Sequence, residues 1–204
     1  MSVAATLERF AATMPRAAED EIGVARVRLF GTRAWVAYRP DHDQRRLRQA
    51  HPVGSIPPLD LLDTLMCLPL GQPVPVHTVA PASQRRLRRL PEGMVTWSST
   101  TATRRFAPPV TPLLAMVQGS DWARGLRAAS RFAMYCRRLL VVSELPAGEQ
   151  VALAEASFYG IGVALRRGET LTMVLEPEEF TDWQPTAAWW WFTEEVYRGA
   201  ELGE

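Results

Sequence analysis

The sequence predicts a mixed α/β (α+β overall) protein: a basic module of short helices and a hairpin in the middle, then a larger α/β domain with a partly parallel sheet. Three observations predict it. Short, wholly apolar runs such as Leu139-Leu140-Val141-Val142 alternate with helical stretches over 109–204, as buried parallel strands do. Period-two patterning at 22–30 and 33–38 brackets Gly31-Thr32, which reads as a hairpin. The chain has 204 residues, 47% of them hydrophobic, enough for one large or two small domains with a real core. Breaks near 54–58 and at Pro108-Pro109 divide it into 1–54, 55–108 and 109–204.

Residues 4–13 read as a short helix before the hairpin, and 41–51, polar and Arg-rich, as a helical turn plus loop. In the middle segment Leu59, Leu62 and Met66 recur at helical spacing, and Leu61, Leu65 and Leu68 widen the stripe. Pro69 ends that helix and Gly71 turns the chain; Val74 and Val76 give a short extended piece. Residues 81–90 form a second helix with Leu87 and Leu90 inward and Arg85, Arg86, Arg88 and Arg89 around them. Pro91 and Gly93 stop it, and 94–99 and 102–107 follow as two strands joined by Thr100-Thr101. Helix, connection, basic helix and hairpin is the layout of a winged helix.

The C-terminal part opens with a buried strand at 110–117. Ser120 reads as the N-cap of a helix with Trp122, Leu126, Ala129, Ala133 and Cys136 on one stripe, ending at Arg137-Arg138. Leu139 to Val142 is a strand, Pro146 and Ala147 open a helix closed by Gly160, and 161–165 and 171–175 are strands flanking a turn at 166–169. Strand, helix, strand, helix, strand implies parallel neighbours. A last helix begins at Pro185 and ends before Gly199. Its three consecutive Trp, Trp189 to Trp191, span about 200° of helix surface at 100° per residue. One face cannot bury them all, so Trp190 and Trp191 are candidates for an interface with a second copy or a protein partner.

Charge is unevenly distributed. All 23 basic residues are Arg, and the formal net charge is +1. Residues 79–108 hold six Arg (Arg85, Arg86, Arg88, Arg89, Arg104 and Arg105) against one acid, Glu92, whereas 109–204 hold eight Arg against thirteen acids. Such asymmetry fits either an anionic partner for the middle or contact between the two halves; a solvated basic face accounts for it equally. Four Arg within five helical positions cannot share one face, so some must meet solvent, a partner or acids. The absence of Lys removes Walker-type phosphate loops and Schiff-base chemistry.

The stretch Arg138-Leu139-Leu140-Val141-Val142, then an Ala-rich helix and Tyr159-Gly160-Ile161-Gly162-Val163, resembles the second half of a restriction-endonuclease-like domain. The likeness covers about 110–175. In that superfamily such a strand, helix and strand follow the catalytic hairpin. A winged helix joined to such a domain resembles bacterial abortive-infection antitoxin regulators. The nuclease motif needs an Asp, then a Glu or Asp two residues before a Lys, on adjacent strands. This chain has no Lys and no acid between Pro109 and Ser120, so the resemblance implies a nuclease fold with no catalytic residues.

Other sites carry less. Asp41, His42 and Asp43 with His51 and His77 show no ligand spacing, so no metal and no cofactor is expected. Gly160-Ile161-Gly162 lacks the third glycine of a dinucleotide loop, and no Ser has the surroundings of a nucleophile. Two separated thiols, Cys67 and Cys136, no 20-residue apolar run and no export-signal layout suggest a cytoplasmic protein that does not cross a membrane. The resulting expectation is a non-catalytic, duplex-DNA-binding or regulatory protein. It would use Arg85, Arg86, Arg88, Arg89, Arg104 and Arg105 on phosphates. The alternatives are a subunit of a larger assembly acting through the Trp-rich helix, and a metal-dependent nuclease.

Overall fold

A computed structural model describes residues 21–52, 56–168, 170–181 and 184–202. The expected helix at 4–13 lies outside the described residues. The chain is of mixed α/β class, with six α-helices, a mixed six-stranded sheet and a three-stranded sheet among the described residues. It divides into two compact units: the described parts of 1–40, 110–183 and 196–204, and those of 41–109 and 184–195.

The first unit is built on the larger sheet. Strands β1 (Gly23–Leu29) and β2 (Thr32–Pro40) form the expected hairpin, antiparallel from Gly23↔Tyr38 to Leu29↔Thr32. Its two-residue turn puts Phe30 and Gly31 at φ 54° and 69°, the mirror-image turn that suits the twist of a hairpin. Strand β2 then pairs antiparallel with β6 (Val110–Gln118). Beyond it come β7 (Arg137–Val142) and β8 (Ile161–Arg167), both parallel, and β9 (Thr170–Leu175), antiparallel, giving the order β1-β2-β6-β7-β8-β9. The N-terminal hairpin and the C-terminal α/β segment are therefore one sheet, and the boundary expected at 54 does not separate them. The physical reason lies in β2: Ala34, Val36, Ala37 and Tyr38 are buried on both faces, as a central strand requires.

The crossover helices differ from expectation in detail. Between β6 and β7, α4 (Trp122–Ser130) is N-capped by Asp121, not Ser120; the Asp121 carboxylate accepts from the Arg124 amide at 2.8 Å. Arg137 and Arg138 begin β7 and do not end the helix. The next helix, α5 (Glu149–Phe158), starts two residues later than Pro146-Ala147 suggest and buries Ala152 and Ala156, leaving Val151 and Phe158 outside. Gly160, at φ 65°, closes it as expected. In α6 (Ala187–Leu202) Gly199 lies within the helix, where a Cβ would come 2.8 Å from the Arg26 carbonyl oxygen of β1.

The second unit holds α1 (His42–Ala50), α2 (Leu59–Met66), β3 (Pro73–Pro75), a 3-10 turn (Val76–Thr78), α3 (Pro81–Leu87), β4 (Val95–Trp97), β5 (Thr101–Arg104) and the start of α6. Within 41–51, expected as a helical turn plus loop, nine residues form a helix, which Asp41 caps by accepting from the Gln44 amide at 2.9 Å. The three strands run in the order β3-β5-β4, all antiparallel. Leu61, Leu62 and Leu65 of α2, with Leu87, Phe106 and Trp190, centre its core; Leu59, expected inside, is exposed.

Candidate nucleic-acid interface

Helix α3 and the turn that leaves it set out the arginines by helical geometry. Leu87 and Leu90 point into the core, with 2% and 9% of their surfaces exposed. At 100° per residue, Arg85 and Arg89 then lie opposite Leu87, with Arg86 and Arg88 on its two flanks. All four are exposed, as is Arg105 at the end of the β4–β5 hairpin. None of these five has a carboxylate within 4.0 Å among the described residues. Arg85 and Arg86 also occupy the last turn of α3, where the helix dipole favours cations.

The six predicted arginines do not behave alike. Arg104 points inward. Its Nε donates to the Phe106 carbonyl at 2.8 Å, its Nη1 to the Leu68 carbonyl at 3.3 Å, and its guanidinium lies 4.5 Å from the Trp190 ring centroid. Burial lowers its pKa. Arg104 is thus a structural cation, and the phosphate role expected of it is corrected. Its side chain follows a different face of β5 from the one Arg105 exposes, which period-two alternation predicts. Arg88 remains at the surface but is stacked over Trp97, its guanidinium carbon 4.1 Å from the ring centroid.

In the Trp-rich helix the interface expected of Trp190 is corrected, whereas Trp191 keeps part of its surface. Trp190 is fully buried within the second unit and its Nε1 donates to Glu194 at 2.8 Å, so it has no surface left for a partner. Trp191 is partly buried against the same core, and Trp189 is 5% exposed. Sequence reasoning missed the polar group beneath. Arg48 donates through Nη2 to Glu194 at 2.5 Å and to the Ala107 carbonyl at 2.9 Å, and lies over the Phe106 ring. Gln44 completes the network, accepting from Arg48 and from the Ala107 amide. Asp41-Gln44-Arg48 at helical spacing was the only signal for it.

Neither β2 nor β6 carries Asp, Glu or Lys, so the two adjacent strands offer no acid pair. Among the described residues no group of three or more His, Cys, Asp or Glu is placed to hold a metal ion. Asp41 is engaged as a cap and Asp43 pairs with Arg46 at 2.5 Å. The first unit has a cavity of about 610 Å3 at the carboxyl ends of β6 and β7, lined by Gln118, Ser120, Ser143 and Arg166. The second has one of about 310 Å3 between Arg88, Glu92 and Trp97. No described helix is long and apolar enough to cross a membrane. Compared with known proteins, the chain matches no family model, no curated protein and no solved structure.

Proposed function

We propose that the protein is a non-catalytic DNA-binding regulatory factor of the cytoplasm that grips duplex phosphates through Arg85, Arg86, Arg89 and Arg105. The observation that carries this reading is the set of exposed guanidiniums on α3 and the hairpin, which no carboxylate neutralises among the described residues. Unpaired arginines in water are natural phosphate ligands, because the guanidinium fork matches phosphate oxygens. The winged-helix reading of this unit is supported by its order of helix, strand, helix and hairpin, with β5 between β3 and β4. The restriction-endonuclease-like reading of the other unit is supported by the antiparallel β2–β6 pair, which precedes α4 and parallel β7 where the catalytic hairpin would stand. That pair carries no acid, which favours binding over cleavage.

A salt series tests it. Four phosphate contacts make log K fall with log salt at a slope of about −3.6, at roughly 0.9 per phosphate. The triple variant R85Q/R86Q/R89Q should flatten that slope to about −1. Absent binding, or affinity indifferent to salt, overturns the reading. Cleavage of the duplex with added magnesium or manganese, abolished by chelator, overturns its non-catalytic part.

A further inference from the structure

One arginine of the basic helix is set against an indole, and its surroundings suggest a partner besides phosphate. The Arg88 guanidinium carbon lies over Trp97, 4.1 Å from its ring centroid, and both side chains line the cavity of about 310 Å3, which Leu87, Leu90 and Val95 also line. That volume sits at the low end of small-molecule pockets, roughly 300–1,000 Å3. Glu92 lines the same cavity, yet no cation lies within 4.0 Å of its carboxylate among the described residues. Arg88 has chosen the ring over the acid.

This combination has a defined chemistry. A guanidinium seated over an indole still has a second planar face, and nucleobases stack on such faces. The Glu92 carboxylate repels a phosphate and accepts hydrogen bonds, so it selects an amino-bearing edge such as cytosine N4. We propose that this cavity receives a nucleobase swung out of its stack, in the order Trp97, Arg88, base, with cytosine favoured over thymine through Glu92. The inference rests on the DNA-binding reading and sharpens its substrate: a duplex with an unpaired or extruded base, bound by phosphate contacts outside and by one base within. Unstacking costs least where the base is already unpaired, which makes such a lesion the preferred target.

Fluorescence anisotropy with the full chain and three labelled probes tests it: a perfect duplex, the same duplex with one bulged cytosine, and with one bulged thymine. The bulged-cytosine probe should bind about tenfold tighter than the perfect duplex, within the range of base stacking on aromatic side chains. R88A, an exposed change that leaves the core intact, should narrow that ratio to within about twofold. E92Q should bring bulged cytosine and bulged thymine to equal affinity while both stay above the perfect duplex. Equal binding of all three probes by the wild-type chain overturns the base pocket and leaves the phosphate reading standing. An undiminished bulge preference in R88A overturns it too. Binding of none of the probes overturns the phosphate reading and the pocket with it.

Discussion

Single residues in this chain change role according to what surrounds them. Cys136 is wholly buried, and burial pushes its thiol from 9.0 up to about 12; a backbone hydrogen bond from Ala115 and the charge of Arg138 pull weakly the other way. Cys67 is exposed. A disulfide-exchange reagent should therefore modify one thiol in the native protein and two in denaturant; two rapid native reactions would contradict the burial. The raised pKa also sets a pH dependence. Between about 9 and 12 the unfolded thiol has lost its proton while the folded one keeps it, so stability falls as pH rises through that range. Below about 9 both states hold the proton and this contribution is flat. Urea melts between about pH 9 and 11 should show a shallower decline for C136A than for the wild-type chain. Phe30 is a comparable case of context. Its left-handed backbone, unusual for an aromatic residue, is held by Arg131 donating to its carbonyl and by stacking on Tyr135 at 5.2 Å.

At the scale of elements, side-chain pairing across long sequence distances decides what a helix face does. The Arg48–Glu194 pair joins positions 146 residues apart, with side chains 4% and 10% exposed. A buried ion pair contributes little over an apolar isostere, yet losing one partner strands the other charge, at about 3–5 kcal/mol. E194A and R48A should each lower stability by about that much, and the double variant by less than the sum. Additive losses in urea melts would mean that the two side chains act separately. This pairing also explains which element-level expectations held. The helices at 59–66 and 81–87 and the hairpin at 23–40 rest on local periodicity, capping and turns, and those signals are legible in a single sequence. The α1 helix is longer than its sequence pattern suggests because its inward residues are Gln44 and Arg48, and a polar stripe carries no hydrophobic period. The sequence makes Arg104 look like a surface cation because its acceptors are the carbonyls of Leu68 and Phe106, which no side-chain pattern reports.

The whole molecule shows the same limit at larger range. Strand β2 pairs with β6 across the segment 41–109, and the second unit takes 184–195 from the far end of the chain. Local patterning places strands and helices, but it is silent on which distant partners they meet, so three consecutive blocks were expected where two interleaved units exist. The aromatic cluster illustrates the consequence. Three adjacent Trp looked surplus to one helix face; Trp190 instead closes the core around Leu62, Leu65 and Phe106, and Glu194 meets both its indole and Arg48. A fragment of 41–109 alone therefore lacks the core's largest side chain and leaves Arg48 buried without its carboxylate. Truncating a large core aromatic costs about 3–5 kcal/mol, and stranding the cation adds a similar amount. Against a typical total of about 5–15 kcal/mol, their sum removes most of the unit's stability. The isolated 41–109 fragment should show no cooperative urea transition, whereas the full chain does, and W190A in the full chain should retain one with a lowered midpoint. A cooperative fold of the fragment matching the full chain's would show that the C-terminal helix is dispensable to this core.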